Sequence, residues 1–123
     1  MEQGRAILWH CADGKDRTGC AAMLLLFALG ASRETVMEDY LLTNVFNAQK
    51  LEVIRQRVAP LGSEPKKLET LLFLSGGVIE GYLTRAIEAM NREFGGVQGY
   101  LSEALGIGEI EISELRCRLL TEA

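Results

Sequence analysis

The feature that most restricts how this chain can fold is its shortage of segments with a β-strand pattern. Its 123 residues include 19 Leu but only 6 Val and 7 Ile, the β-branched residues that favour strands. One short apolar run, Ala-Ile-Leu-Trp at 6–9, precedes a glycine-containing turn and is predicted to form a buried strand. We expect the rest, over 18–121, to be a mostly α-helical region.

Seven helical segments are predicted, because apolar residues recur at spacings of three and four and Gly or Pro separates the segments. They cover 18–29, 33–43, 45–58, 68–74, 78–94, 97–105 and 110–120. The first segment is apolar almost all round, which predicts a central, buried helix. Gly30 is expected to end it, Ser32 to cap the second helix and Asn44 to cap the third.

Composition and charge argue against several classes of protein. Apolar residues make up 48% and charged residues 24% of the chain, as in ordinary globular proteins, so 1–123 is treated as a single domain. The formal net charge of -4 argues against a nucleic-acid-binding protein. The longest apolar run, 20–29, is too short to span a membrane. With three Cys, one His and no Cys-x-x-Cys pair, no disulfide framework or zinc site is expected.

Residues 10–19, His-Cys-Ala-Asp-Gly-Lys-Asp-Arg-Thr-Gly, combine the groups that cleavage of a phosphate ester requires. They lie between the predicted strand and the first predicted helix. A tight loop from Cys11 to Arg17 can turn its backbone N–H groups inward to bind a phosphate anion, and the N-terminus of the following helix adds its dipole. Gly14 allows the tight turn, and Arg17 can bind two phosphate oxygens at once.

The same positive environment is expected to activate Cys11 as a nucleophile. A thiol at a helix N-terminus and beside cations loses its proton near neutral pH. The Thr18 hydroxyl can donate a hydrogen bond to the sulfur and help it to leave in a second step. We expect His10 to orient the loop through hydrogen bonds, since a thiolate needs no general base.

The sequence His-Cys-x-x-Gly-Lys-Asp-Arg-Thr-Gly resembles the signature of the cysteine-dependent protein tyrosine phosphatases. It is similar to that of an atypical bacterial and fungal branch, which includes dual-specificity and phosphoinositide-active members. Asp-Tyr-Leu-Leu-Thr-Asn at 39–44 resembles a segment that follows the central helix in this branch, and weaker matches continue as far as 115–116. The resemblance therefore covers nearly the whole chain.

This resemblance implies a phosphomonoester hydrolase in which Cys11 forms a phospho-cysteine intermediate. It also implies that Arg17 binds phosphate and stabilises the transition state, and that no metal or cofactor takes part. The implied substrates are phosphorylated proteins or phospholipids. The residues implied to surround the phosphate are Ala12, Asp13, Gly14, Lys15, Asp16, Arg17 and Thr18.

The general acid, which protonates the leaving group, has to be sought inside the loop. Tyrosine phosphatases usually supply an Asp from a loop upstream of the signature, and none of the ten residues before Cys11 is Asp. The resemblance implies that Asp16 is the acid, since the branch keeps an Asp at this position; the alternative is a salt bridge to Arg17 or to a neighbouring helix. Asp13 departs from the family pattern, in which this position is often small or apolar. Lys15 is either a solvated loop residue or a contact for a further phosphate or acidic group.

The resemblance further implies an α/β phosphatase fold, in which the signature loop follows a central strand. A lone strand at 6–9 cannot satisfy its own backbone, so we expect the chain to be the C-terminal portion of that fold, with a partner or a second copy covering the strand. The alternative function is a catalytically impaired fragment that binds phosphate or forms oligomers. Reduced thiols predict a cytoplasmic location, with secretion by a bacterial source as the alternative.

Overall fold

A computed structural model describes residues 6–62 and 64–121, and seven α-helices follow one another in these two ranges. Their bounds are α1 Asp16–Leu29, α2 Arg33–Phe46, α3 Ala48–Val58, α4 Pro65–Ser75, α5 Glu80–Phe94, α6 Val97–Gly99 and α7 Glu109–Leu119. A 3₁₀ turn, Ala59–Leu61, extends α3, and a π-helical turn, Tyr100–Ala104, extends α6. None of the described helices is long and apolar enough to cross a lipid bilayer.

The predicted strand at 6–9 is wrong, because these residues have no regular secondary structure. A strand needs a neighbour to bind its N–H and C=O groups, and residues 6–62 and 64–121 contain no strand that can serve. The expected burial is also absent, since Ile7 is 62% and Leu8 is 90% exposed. A short apolar run becomes a buried strand only where other elements cover and pair with it.

The hydrophobic core is built against one side of α1. Side chains of α1, α2 and α5 meet in the main cluster, and a smaller cluster joins α1 to the π-helical turn and α7. The buried residues of the main cluster are Met23, Val36, Tyr40, Val78, Leu83, Ile87 and Met90; those of the smaller cluster are Ala28, Leu101 and Ile112. α1 is therefore central, as predicted, but its predicted burial is wrong for most of the helix, because only Met23 and Ala28 of its residues are buried and Ala21 is exposed.

The ends of α1 lie close to their predicted positions. The helix begins at Asp16, two residues before the expected start, with Lys15 as its N-cap. It ends at Gly30 as predicted, where the φ of 95° is in the left-handed region that favours glycine. Ser32 also caps α2 as predicted, because its Oγ accepts a 3.2 Å hydrogen bond from the Thr35 N–H.

Asn44 does not cap α3, contrary to the prediction, because its side chain is used in a contact across the fold. α2 continues past it to Phe46. The Asn44 amide donates a 2.9 Å hydrogen bond to the Val78 carbonyl, and its Oδ1 accepts one of 2.8 Å from the Val78 N–H. Val78, predicted to begin a helix, lies fully buried in the segment between α4 and α5. The Asn44–Val78 pair therefore joins α2 to the start of α5.

The C-terminal end of α1 is held by α7. Arg116 Nε donates a 2.8 Å hydrogen bond to the Ala28 carbonyl, one of the last-turn carbonyls that have no partner within the helix. The helix dipole favours a cation at this position. The end of α1 opposite the predicted phosphate-binding loop is thereby tied to the last helix of the chain.

Replacing Asn44 with alanine is expected to lower the free energy of unfolding by about 2 to 4 kcal/mol, because the buried N–H and C=O of Val78 lose their partners. Urea unfolding followed by helical circular dichroism measures this change. Gln49→Ala is the matched control: this exposed α3 amide has no hydrogen bond within the described residues, and its loss should change stability by less than about 0.5 kcal/mol. Equal losses in the two variants would contradict the role given to Asn44.

Candidate active site

The predicted phosphate-binding loop leads directly into α1. Residues 12–15 form a series of bends, and Gly14 has a φ of 65°, which glycine adopts without strain. No atom lies within 4 Å of the position that a Gly14 Cβ would take, so the backbone conformation, and not a lack of space, favours glycine here. The first N–H groups of α1, which have no partners inside the helix, lie at the end of this loop.

Several donors converge on the sulfur of Cys11, which is half-buried. The Thr18 hydroxyl is the largest cause that lowers the pKa of Cys11, and the Thr18 N–H is the next. Partial burial opposes them more weakly, and the N–H groups of Gly14 and Asp13 add smaller contributions. Together these groups lower the pKa of Cys11 from 9.0 to about 6. A thiol with this pKa is mostly a thiolate at neutral pH.

The Thr18 hydroxyl has no acceptor other than this sulfur among the described residues. Its Oγ1 is buried and makes no hydrogen bond of regular geometry there. A neutral thiol is a weak acceptor, whereas a thiolate accepts strongly. The Thr18 hydroxyl therefore has a strong acceptor only when Cys11 is ionised. Because a buried hydroxyl without a partner is costly, Thr18 favours the thiolate over the thiol.

Arg17, at the end of the loop, is a cation that is available to bind a ligand. It is exposed in the first turn of α1, and it makes no ion pair within residues 6–62 and 64–121. Its side chain lines a cleft of about 420 Å³ whose other lining residues include Tyr40 and Tyr82. A guanidinium without an ion pair keeps its five N–H donors for a ligand.

Lys15 is not the solvated loop residue that one interpretation of the sequence predicts, because only 3% of it is exposed. Its ammonium lies 3.0 Å from Asp16 Oδ2 and donates a 3.4 Å hydrogen bond to the Phe73 carbonyl in the last turn of α4. The helix dipole of α4 favours a cation there. Lys15 therefore ties the loop to α4, and its Nζ is directed into the protein in this conformation.

Asp16 is the first residue of α1, in the turn where the helix dipole favours an anion. Both of its carboxylate oxygens contact the Lys15 ammonium, Oδ1 at 3.3 Å and Oδ2 at 3.0 Å. The partner in this salt bridge is thus Lys15 and not Arg17, which the sequence suggested. The side chain is 57% exposed, so it can be reached from solvent.

The two remaining polar residues of the loop face outward. Asp13 Oδ1 lies 3.6 Å from the ammonium of Lys50 on α3, which neutralises the carboxylate that departs from the family pattern. His10 is exposed, and its Nδ1 lies 3.3 Å from the Cys11 carbonyl, a contact with its own neighbour in the chain. No group of three or more His, Cys, Asp or Glu side chains in the described parts of the chain could hold a metal ion.

Tyr40, Lys50 and Phe73 contribute to the site although sequence reasoning did not select them. The Tyr40 ring lies so close to Gly19, in α1, that an added Cβ there would be 2.8 Å from it. Burial is the main cause that raises the pKa of Tyr40 to about 12, with Asp16 as the next cause. The glycine that ends the motif is a signal for such a close contact, but nothing in the sequence identifies its partner.

A titration of Cys11 reactivity tests this geometry. Alkylation of Cys11 by iodoacetamide should increase as pH rises through about 6, because only the thiolate reacts and its pKa is lowered. Thr18→Val should move this midpoint upward, whereas Thr18→Ser, which keeps the hydroxyl, should leave it nearly unchanged. Mass spectrometry of the peptide that contains Cys11 separates its alkylation from that of Cys20, whose pKa is raised by burial and by Asp16. A wild-type midpoint near the ordinary thiol value of 9.0 would contradict the arrangement.

Comparison with known proteins finds similar sequences among the tyrosine phosphatases. A model of the tyrosine phosphatase family matches residues 1–121. One similar protein comes from Cupriavidus necator, and its name describes a tyrosine-protein phosphatase. It is 39% identical to this chain in a match that covers 92% of this chain and 39% of the relative's own length. The triple specificity protein phosphatase of Mycobacterium tuberculosis is 35% identical, over 98% of this chain and 46% of its own.

A tyrosine-protein phosphatase of Nostoc commune is also similar, with 29% identity over 96% of this chain and 40% of its own length. The chain thus spans less than half the length of each of these three relatives. The family match, in contrast, extends along almost all of the chain and includes the loop from Cys11 to Thr18. The chain belongs to the tyrosine phosphatase family.

Proposed function

We propose that this chain acts as a phosphomonoester hydrolase of the protein tyrosine phosphatase type, with Cys11 as the nucleophile. The observation that supports this most is the pKa of Cys11, lowered to about 6 by the Thr18 hydroxyl and N–H and, more weakly, by the N–H groups of Gly14 and Asp13. Such a site attracts an anion and offers it a nucleophile at the same point. The proposed phosphate contacts are the backbone from Ala12 to Thr18, while the Thr18 hydroxyl donates its one proton to the Cys11 sulfur.

In the first proposed step, the Cys11 sulfur attacks the phosphorus atom on the side opposite the ester oxygen. The S–P bond forms as the P–O bond breaks, and the ester oxygen leaves with a proton from a general acid. Arg17 binds two of the three remaining phosphoryl oxygens, whose charge is spread out in the transition state. Phosphoryl transfer needs this kind of positioning and charge stabilisation more than any further covalent chemistry.

In the second step, a water molecule attacks the phosphorus of the phospho-cysteine. The new P–O bond replaces the S–P bond, the electron pair returns to sulfur, and the proton of the water passes to the carboxylate that acted as acid before. The Thr18 hydroxyl stabilises the departing thiolate by donating a hydrogen bond, a role that its effect on the pKa of Cys11 supports. The products are inorganic phosphate and the original Cys11 thiolate.

Asp16 is the proposed general acid. Its position in the first turn of α1, next to Arg17 and more than half exposed, supports this role. To act, it has to exchange its contact with Lys15 for one with the leaving group, because Lys15 occupies both of its oxygens. The same contact favours a second candidate function, a chain that binds phosphate without hydrolysing its esters.

The proposed substrates are phosphorylated proteins or phospholipids. The relative named a triple specificity phosphatase supports the acceptance of more than one kind of phosphoester.

We further infer an α/β phosphatase fold for the domain. Three free thiols support a cytoplasmic location. Because Ile7 and Leu8 are exposed, we also infer that a partner surface or a second copy of the chain covers them.

Turnover of a small aryl phosphate tests the proposed function. Cys11→Ser should abolish it, because a hydroxyl at this site is not ionised at neutral pH. Arg17→Lys should lower kcat/KM by about 10²- to 10³-fold, since lysine cannot bind two oxygens as a planar fork. Cys117→Ser, an exposed cysteine on α7, is the control and should retain full turnover. Turnover that survives Cys11→Ser would contradict the proposal, and phosphate binding without turnover would favour the second candidate.

The role of Asp16 can be separated from a structural one by changing the leaving group. Asp16→Asn should lower kcat/KM for phenyl phosphate, a poor leaving group, by about 10²-fold or more, and affect p-nitrophenyl phosphate much less. The reason is that nitrophenolate leaves readily without a proton. Glu80→Gln, at the start of α5, is the control for removal of one carboxylate. An equal loss with both esters would show that Asp16 supports the loop through Lys15 and is not the acid.

A further inference from the structure

One face of α3 forms a groove that no described part of the chain fills. The groove has a volume of about 550 Å³. Six residues line it, at the end of α2 and along α3: Phe46, Gln49, Lys50, Val53, Ile54 and Arg57. Their spacing of three, four, seven, eight and eleven residues places them along one side of a helix. We call this surface the α3 groove.

The α3 groove combines exposed apolar surface with positive charge. Phe46 is 82% and Val53 is 43% exposed, although helices usually turn such a face inward. Both charged lining residues, Lys50 and Arg57, are cations, and no carboxylate lines the groove. The acidic residue of α3, Glu52, pairs with Arg55 at 3.6 Å, and neither belongs to the lining. A positive groove in a chain of net charge -4 favours an acidic occupant.

The groove is continuous with the predicted phosphate-binding loop. The Lys50 ammonium lies 3.6 Å from Asp13 Oδ1, so one lining residue of the groove directly contacts the loop. The stem of Lys50 lies against Gly76, where an added Cβ would be 3.4 Å from it, and this contact directs the side chain toward the loop. A substrate whose phosphate enters the loop therefore has the groove beside it.

We infer that the α3 groove binds the polypeptide segment next to the phosphorylated residue and selects acidic and apolar side chains in it. This inference rests on the proposed function. Within α3 the lining runs from Gln49 to Arg57, a helical rise of about 12 Å, which matches about four residues of extended peptide. Its limited length and its contact with the loop through Lys50 favour a peptide over a membrane surface. Arg57 pairs with acidic side chains, Lys50 stays with Asp13, and Phe46 and Val53 contact apolar side chains.

The test compares two phosphotyrosyl peptides, one with Glu and Leu on both sides of the phosphotyrosine and one with Lys and Ser there. The measured quantity is kcat/KM for each peptide divided by kcat/KM for a small aryl phosphate. The chain should prefer the acidic peptide, and Arg57→Glu should reduce the normalised value for that peptide by about five- to tenfold, because an attractive charge becomes repulsive. Arg55→Glu makes the same change of charge on the same helix outside the groove, and should reduce it by less than about twofold.

A second pair of variants tests the apolar contact. Phe46→Ser should lower the normalised value for the acidic, leucine-containing peptide by about threefold or more, since it removes apolar area from the groove. Leu61→Ser removes an apolar side chain of similar exposure, 77%, that does not line the groove, and should change the ratio little. Helical circular dichroism of all four variants confirms that each is folded.

The outcomes separate this inference from the proposed function. If the unmodified chain does not hydrolyse the aryl phosphate, the proposed function fails, and binding of the fluorescently labelled peptides, followed by anisotropy, decides the inference with the same variants. Equal effects of Arg57→Glu and Arg55→Glu, or no preference between the peptides, would overturn it. Loss of binding to anionic phospholipid vesicles in Arg57→Glu, with unchanged peptide values, would overturn it in favour of a membrane surface.

Discussion

The arrangement of donors around the Cys11 sulfur depends on where α1 begins. The free N–H groups of the first turn, the Thr18 hydroxyl and Arg17 all belong to this helix, so a small shift of α1 would move them together. The rest of the fold holds the helix at two points. The Tyr40 ring packs on Gly19 near its start, and Arg116 binds the Ala28 carbonyl near its end. The main cluster, built from α1, α2 and α5, supplies the apolar burial that stabilises this position.

The outer side of the loop is held by a distant part of the chain. Lys15 reaches the Phe73 carbonyl at the end of α4, and Asp13 lies near Lys50 on α3. α3 and α4 pack against each other. Asn47, which lies between α2 and α3, donates a 2.7 Å hydrogen bond to the carbonyl of Gly76, which lies between α4 and α5. These contacts place α3, with its apolar and basic groove, beside the site. The loop around Cys11 and the surface proposed to select substrates are therefore parts of one connected arrangement.

The sequence predicted well what is decided locally. Gly14 has the positive φ expected of a tight turn, and Gly30 and Ser32 end and cap helices through their own backbone or side chain. It predicted poorly what depends on distant partners. The apolar run at 6–9 has a strand pattern but no strand to pair with among the described residues. Asn44 has a side chain typical of an N-cap, but that side chain binds Val78 instead. The burial of Lys15 could not be predicted, because its acceptor lies 58 residues away.

The proposed function requires Cys11 to carry the phosphoryl group as an intermediate. Mixing the chain with an aryl phosphate, stopping the reaction with acid after a short time and mapping the peptides by mass spectrometry tests it directly. The phosphoryl group is expected on the peptide that contains Cys11, and it should be absent when Cys11 is replaced by alanine. Turnover without a phosphorylated intermediate, or a phosphoryl group on a different residue, would contradict the account.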